Sequence, residues 1–422
     1  MNKTGTSQFA LLKTQRFLPL FVTQALSAFN DNVYRFSLSI ILLTSFGTER
    51  GGVLNTISAA LFILPFFLFS ALAGQLSDKY DKSKMARRIK FAEIFIVAIS
   101  AFSLFTHHVP LQQFCIFLAG TQAAFFGPIK YAILPQHLTK EELLGGNGMV
   151  EMATFVAVLL GTICGTIIIN QDGGHKLVAG LMIGIALFSY WTTTRIPPAP
   201  SAQPDLKLNW NFVGETWHVL KMAAQRPAVF QSILGVSWFW FLGVVFVTQI
   251  PLFTIGTLHG TETIATLIFA LFSIGIATGS IYCNKLLRGK ISLKYVPLSA
   301  LLMSLFMFDM YFAAGRASTI TPPGETATLW SLLSHFNGLR VLFDLAAVAF
   351  CAGLYVVPIF APMQAKPPYY LRARTIGANN IMNAIFMITA TVLSGLLLSN
   401  GLTARGLFFA SVLPICWRPS MS

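Results

Sequence analysis

Long apolar runs separated by short polar loops dominate this chain. A helix needs roughly 20 residues to cross about 30 Å of hydrocarbon at 1.5 Å per residue. Eleven runs qualify, near residues 17–46, 53–76, 86–106, 109–135, 146–170, 175–195, 228–257, 262–286, 292–315, 340–363 and 377–399. A twelfth run begins around Arg405 and stops early, so we expect a short or truncated last span. The pattern predicts an all-α membrane protein.

One polar interruption, at residues 195–227, is longer than the others and contains a proline-rich stretch, which is typical of a linker. It follows the sixth predicted span and so predicts three parts: an N-terminal six-helix bundle (1–195), a cytoplasmic linker (196–227) and a C-terminal bundle with five full spans and an incomplete twelfth (228–422). Within the linker, apolar residues among polar ones over residues 211–225 predict a short amphipathic helix on the cytoplasmic surface.

Composition agrees with lipid as the solvent. Of the 422 residues, 55% are hydrophobic and 10% are charged, whereas a soluble domain carries about a quarter charged residues. The net charge of +14 follows a topological pattern. With a cytoplasmic N-terminus, 22 of the 29 lysines and arginines, including Lys90 and Arg374, fall on the cytoplasmic side and five fall outside. This positive-inside bias sets orientation and meets anionic lipid, and it indicates no nucleic-acid partner.

The two halves resemble each other. Pro128-Ile129 in the fourth span and Pro358-Ile359 in the tenth are each followed by a basic loop and then by asparagines on the next span. Parallel six-helix repeats place a substrate site between the halves, near the bilayer midplane. Chance similarity of two hydrophobic hairpins is the alternative.

The loop between spans two and three contains a recognisable motif. Gly74-Gln-Leu-Ser-Asp78-Lys79-Tyr-Asp-Lys82 resembles the G-x-L-x-D-R-x-G-R-[RK] loop of the major facilitator superfamily, although Asp81 replaces its second glycine. We expect Gly74 to permit close helix approach, and Asp78 to accept hydrogen bonds from a helix N-terminus or an arginine as a gate. A solvated charged loop is the alternative. The matching loop of the second half has Asn284 and lacks the acid.

Polar residues inside the first span form a second candidate. A charge at the bilayer centre costs about 2.5–3.5 kcal/mol on insertion scales, so such groups face a polar interior. Asn30 and Asp31 lie beside each other, and Asp31 and Arg35 share one helix face at i, i+4 spacing. They predict either a wall of a translocation path, with Asp31 attracting a cation, or a structural intrahelical pair.

Further candidates lie on spans four, five and eleven. Lys130 stands among apolar residues, where it either snorkels to the cytoplasmic surface or faces inward to meet a phosphate. The remaining polar groups are either substrate contacts or interhelical hydrogen bonds. They are Asn147, Glu151, Asn379, Asn380 and Asn383.

Motifs for enzymatic chemistry are missing from the sequence. It contains no GxxxxGK[ST], HExxH or GxSxG pattern, and its five cysteines are scattered without CxxC spacing. We therefore expect a secondary transporter that is no enzyme and uses no cofactor or metal.

Taken together, the motifs resemble the lysophospholipid transporter branch of the major facilitator superfamily. The resemblance covers nearly the whole chain and rests on Ala28–Asn32, Phe126–Pro135, Asn147–Glu151, Tyr355–Pro358 and Ala378–Asn380. It implies two pseudo-symmetric six-helix bundles in the bacterial inner membrane, and facilitated inward movement of 2-acyl-glycerophosphoethanolamine-type lipids by alternating access.

On this resemblance, Lys130 is expected to meet the lipid phosphate while Asp31 and Glu151 attract the ammonium. The implied partners are the lysophospholipid and membrane lipids, and some family members are fused to an acyltransferase and an acyl-carrier-protein ligase. Two alternatives remain: a proton-coupled drug or small-solute antiporter of the same superfamily, and a membrane module for a phospholipid-reacylating enzyme.

Overall fold

The computed structural model describes residues 8–106, 108–319 and 325–411, and nearly all of them are helical. The helices follow one another as α1 (Leu18–Lys79), α2 (Lys82–Ser103), α3 (Val109–His137), α4 (Lys140–Ile169), α5 (Gly174–Thr194), α6 (Phe212–Ala224), α7 (Pro227–Gly256), α8 (Glu262–Leu287), α9 (Val296–Ala317), α10 (Leu329–Ser334), α11 (Phe336–Ala365), α12 (Arg372–Ser399) and α13 (Ala404–Ala410).

The long helix α1 contains two membrane spans. Gly47 breaks it with φ 75° and ψ 174°, a backbone conformation that glycine adopts without a side-chain clash. The first arm, residues 18–46, and the second arm, Glu49–Lys79, correspond to the first two predicted spans. The long helices thus confirm the predicted all-α membrane fold.

Nine helices in the described part of the chain are long and apolar enough to span a membrane. The sequence predicts eleven such spans, and the other two, the first arm of α1 and α2, are present as helices but are more polar. The first arm contains Asp31 and Arg35, and α2 begins with a cluster of basic residues. Both pack within the bundle, where these polar groups find partners.

The linker and the last predicted span are only partly helical. Residues 195–211 contain no helix, and α6 then occupies most of the segment for which the sequence predicts a surface helix. Two apolar residues of α6 are strongly exposed, with Val213 82% and Trp217 71% accessible. The predicted twelfth span begins as α13, and its continuation lies outside the described residues.

Two groups of helices meet at one end of the molecule. We call the end where α1 and α11 finish and α2 and α12 begin the basic end, because it carries the cation-rich loops. The largest apolar core joins both halves at this end, for example through Ile129 and Val357. A second core belongs to the N-terminal half alone and fills its opposite end, around Leu38, Ile116 and Met182. The halves therefore share a core at the basic end.

Candidate functional site

The loop motif forms an ion pair between the two halves at the basic end. Asp78 is fully buried, and its Oδ2 accepts a hydrogen bond from Arg374 Nε at 3.1 Å. Its Oδ1 accepts one from the backbone N–H of Ala373, in the first turn of α12, at 3.3 Å. The carboxylate thus contacts both an arginine and a helix N-terminus, and each favours the ionised form. These two bonds join α1 directly to α12.

Gly74 lies one turn before Asp78 and allows this approach. A Cβ at Gly74 would lie 2.9 Å from Arg374 Cα and 3.1 Å from the carbonyl oxygen of Ala373. Because those are backbone atoms, no side-chain movement relieves such a clash. Any residue other than glycine here pushes α12 away from α1 and lengthens the Asp78–Arg374 contact.

The linker lies across this ion pair and bonds to both halves. Ala202 and Gln203 donate backbone N–H bonds to the Asp78 carbonyl oxygen, each at 2.9 Å, and Gln203 Oε1 accepts from Arg374 at 2.8 Å. Lys82, buried at the start of α2, donates to the Pro200 carbonyl at 3.2 Å. Lys79 is half-buried beside Tyr80. Of the two motif lysines, Lys82 therefore holds the linker.

A second contact between the halves lies deeper in the bundle. Asn147 of α4 and Gln364 of α11 exchange two amide hydrogen bonds, at 2.7 and 3.0 Å, and both are buried. Gln364 also donates to the Tyr131 carbonyl oxygen at 3.2 Å. The Tyr131 ring stacks on Phe360 with ring centroids 4.7 Å apart. These contacts form a second layer between the halves, in addition to the Asp78–Arg374 ion pair.

Lys130 and Glu151 lie next to this contact layer. At 1.5 Å per residue, Lys130 is about 10 Å from the basic end of α3. Tyr131 donates a 2.5 Å hydrogen bond to Glu151 Oε1, and Glu151 lies close enough to Lys130 to attract its ammonium. In the described chain Lys130 makes no ion pair within 4.0 Å, and its half-buried ammonium lies 4.8 Å from the Tyr131 ring centroid. It is therefore available to an anion.

The C-terminal half contributes amides opposite these charges. Asn380 approaches Gly127, one turn from Lys130, so closely that a Cβ there would lie 2.8 Å from its Nδ2. Neither Asn379 Oδ1 nor Asn380 Nδ2 has a hydrogen-bond partner in the described part of the chain. Asn383 differs, since its Oδ1 accepts from Ser237 at 2.9 Å. Asn379 and Asn380 thus have free hydrogen-bonding capacity, while Asn383 packs α12 against α7.

The first-span residues lie elsewhere. Asp31 accepts two long hydrogen bonds from Gln122 Nε2, at 3.3 and 3.5 Å, and Asn30 donates to the Met182 carbonyl. The Arg35 guanidinium lies over the Phe62 ring, 4.4 Å from its centroid, and makes no ion pair with Asp31 within 4.0 Å among the described residues. The structural Asp31–Arg35 pair considered from the sequence is therefore not formed.

Asp31 also does not join Lys130 and Glu151 in one cavity. It lines a small cavity inside the N-terminal half, between α1, α2, α3 and α5, and neither of the other two residues lines that cavity. The sequence analysis placed all three against one lipid headgroup. The face of α1 that carries Asp31 turns toward its own half, and periodicity alone does not specify that direction.

Several polar partners escaped the sequence analysis. Lys90 was assigned to a cytoplasmic loop, but it is fully buried and pairs with Glu93 at 2.6 Å. Its ammonium also donates to Ser27 at 2.5 Å and lies over the Phe126 ring. The i, i+3 spacing of a lysine and a glutamate next to an apolar run was the available signal. Gln364 and Arg374, the partners across the halves, carry no such local signal.

Comparisons with known proteins agree with this architecture. The family model of the Major Facilitator Superfamily matches residues 20–412. The chain is 27% identical over 378 residues to the lysophospholipid transporter LplT of Escherichia fergusonii, covering 81% of this chain and 90% of that protein. It is 26% identical to the Escherichia coli O1:K1 protein of the same name over 366 residues, covering 86% and 82%.

Solved structures show the same fold at low sequence identity. The human organic anion transporter MFSD10 aligns with a TM-score of 0.74 at 12% identity, over 94% of this chain and 96% of that one. A bacterial homologue of the iron transporter ferroportin aligns at 0.70 and 12% identity over the same shares. The proton:xylose symporter XylE aligns at 0.66 and 13%, over 94% and 93%.

Proposed function

The chain belongs to the major facilitator superfamily and is a transporter rather than an enzyme, and we propose that it moves lysophospholipids across the bacterial inner membrane by alternating access. Nine apolar helices within the described residues, together with bacterial relatives, support a multi-pass inner-membrane protein. The relatives named lysophospholipid transporter support the substrate class. We also propose that the N-terminus and the basic end lie in the cytoplasm, as the distribution of cations predicts.

One observation carries the substrate proposal: the ammonium of Lys130 lies within the bundle, without an ion pair in the described chain, beside a buried carboxylate. A charge held within a membrane bundle without an ion-pair partner is costly even when it is half-buried, so such a group is retained where a ligand supplies the partner. A zwitterionic phospholipid head carries both complementary charges. Its phosphate pairs with Lys130 and its ammonium with Glu151, while Asn379 and Asn380 supply polar groups from the opposite half.

The acyl tail sets the second requirement. Burying a CH₂ group in lipid is worth about 0.8 kcal/mol, so moving a long tail into water would cost more than about 10 kcal/mol. The tail therefore stays against the lipid or an apolar wall while only the head travels between the halves. The product is a lysolipid in the inner leaflet, and we propose that an acyltransferase, fused or separate, reacylates it.

In this proposal, a closed basic end corresponds to one stage of the alternating-access transport cycle. With the Asp78–Arg374 and Asn147–Gln364 contacts formed, the path to the basic end is blocked. The head group then enters from the opposite end and is released only after both contacts break. Asp78, Lys82 and Gly74 act in this scheme as gate residues, and they make no contact with the lipid.

Lysophosphatidylethanolamine uptake into proteoliposomes tests the headgroup assignment. We expect Lys130→Met to reduce uptake at least tenfold, because the phosphate loses its counter-charge, and Lys130→Arg to retain part of it. Lys140→Met is the matched control, since Lys140 is an exposed lysine at the start of α4, and it should transport normally. Normal uptake by both Lys130→Met and Glu151→Gln would eliminate the proposed site.

A proton-coupled antiporter is the second candidate, and one observation favours it. Glu151 is a buried carboxyl group at the contact between the halves, where its protonation or deprotonation changes the local charge. This reading predicts proton-driven export of a small solute in everted vesicles, with no lysolipid uptake in proteoliposomes.

A further inference from the structure

A small cavity lies inside the N-terminal half, apart from the Lys130 region. It is bounded by the first arm of α1 and by α2, α3 and α5, and its free volume is about 10 Å³. That volume holds one water molecule or one ion. Each polar side chain that lines it contains an oxygen atom, and no lysine or arginine is among the lining residues: they are Asn30, Asp31, Tyr34, Glu93, Ser100 and Gln122.

Two of these side chains carry acceptors without a partner. Asn30 is 2% exposed and Gln122 is 4% exposed, and neither Asn30 Oδ1 nor Gln122 Oε1 has a hydrogen-bond partner in the described chain. Their NH₂ groups are engaged, by the Met182 carbonyl and by Asp31 respectively. Flipping Gln122 would turn its oxygen toward the Asp31 carboxylate, so the observed orientation is the favourable one. Both amide oxygens are therefore left for a ligand.

Only one of the two carboxylates at the cavity contacts a cation. Lys90 lies 2.6 Å from Glu93. Asp31 has no ion pair within 4.0 Å among the described residues, because Arg35 is directed onto the Phe62 ring and attracts the carboxylate only from a longer distance. The Asp31 carboxylate therefore has no contacting cation in the described part of the chain.

We propose that this cavity binds one sodium ion. Hard cations take oxygen ligands, and one carboxylate without a contacting cation fits a monovalent ion better than a divalent one. A volume of about 10 Å³ excludes an ion with its hydration shell, so protein oxygens replace that shell. A water molecule in the same place satisfies the two amide oxygens but gives the Asp31 carboxylate no contacting cation. Asp31 is only half-buried, so the cavity is not sealed from its surroundings.

The bound ion has a structural consequence. It ties the Asp31 region of α1 to Glu93 of α2 and Gln122 of α3, so that these helices of the N-terminal half move as one body when the basic end opens. This inference does not depend on the identity of the transported lipid.

Sodium binding to the purified protein tests the site in nanodiscs without lysolipid. We expect about one ²²Na⁺ per chain, and a higher melting temperature in sodium chloride than in choline chloride of equal ionic strength, because a ligand of the native state stabilises it. Asp31→Asn and Gln122→Leu should each weaken sodium binding at least tenfold and abolish the difference between the two salts.

Gln113→Leu is the matched control. Gln113 lies on the same helix and is 8% exposed, but it bonds to Ser58 and to the Leu54 carbonyl, away from the cavity. Its substitution should lower the melting temperature equally in both salts and leave the sodium increment intact. Absence of sodium binding to the unsubstituted protein overturns the proposal, as does a site that responds only to pH. Because no lysolipid is present, this assay can fail while the Lys130 experiment succeeds.

Discussion

The two halves of this transporter build similar helical bundles but fill their interiors with different polar groups. The N-terminal half buries the Lys90–Glu93 ion pair and places Asp31 beside it. The surface of the C-terminal half that faces the Lys130 region carries the amides of Asn379 and Asn380. The ion pair of the C-terminal half, Arg340–Asp309, is partly exposed.

The same difference appears at two helix contacts of the basic end, α1 with α12 and α8 with α4, which we call its two corners. Where α1 meets α12, the buried Asp78 carboxylate binds Arg374 and a helix N-terminus. Where α8 meets α4, Asn284 packs against Gly145, and a Cβ there would lie 3.1 Å from the amide nitrogen of Asn284. The Oδ1 of Asn284 has no partner in the described chain. One corner is thus fastened by charge, while the other relies on close packing.

This difference indicates that the two halves have different roles. Buried charges need partners and lose much free energy when separated, so they suit positions that bind an ion or hold one defined state. Neutral amides exchange partners at lower cost and suit a wall that moves past a polar head group. We infer that the N-terminal half carries the electrostatic recognition and that the C-terminal half supplies the sliding surface.

The largest expected effect comes from breaking the ion pair inside the N-terminal half. Lys90→Met leaves Glu93 buried without its counter-charge, which destabilises a protein by about 3–5 kcal/mol. Unfolding in bicelles, followed by heat or by SDS titration, measures the loss. The double variant with Glu93→Gln should recover most of the stability, because no unpaired charge remains. Equal losses in the single and double variants would contradict the interpretation.

An intermediate effect is expected at the charged corner of the basic end. Asp78→Asn removes a charge-assisted hydrogen bond worth about 1.5–3 kcal/mol, which shifts a two-state gate toward opening by roughly 10- to 150-fold. Gln136 bonds to Tyr369 in the closed state. The rate of maleimide labelling of a cysteine that replaces Gln136 should therefore rise by a similar factor. Asn284→Ala at the other corner is the control and should change labelling little. Similar rates in both variants would remove the contrast between the corners.

The smallest effect is expected in the amide-lined half. Ser237→Ala removes the neutral hydrogen bond to Asn383 and should cost about 1 kcal/mol in the same unfolding assay. Ser232→Ala is a control on the same helix, because among the described residues the Ser232 hydroxyl bonds only to the Ala228 carbonyl one turn earlier. A Ser237→Ala loss as large as that of Lys90→Met would show that the two halves do not differ in kind.

The positions of the helices were predictable because spanning a bilayer depends on local sequence. Each span needs enough consecutive apolar residues, and that count can be read without knowing the neighbours. The predicted run 228–257 therefore matches α7, Pro227–Gly256, almost residue for residue. Asp78 could also be singled out, because the residues of its loop follow the spacing of a known family motif.

Only the tertiary structure decided which polar groups meet. Arg374 lies 296 residues from Asp78, and Gln364 lies 217 residues from Asn147, so no local pattern announces either pair. The position of Lys90 in the sequence suggested a cation in a cytoplasmic loop. The charges of Asp31 and Lys130 suggested that both contact the same lipid head group. A helical periodicity defines faces, but helix packing determines which neighbour each face meets. That choice separated Asp31 from Lys130 and gave each its own surroundings.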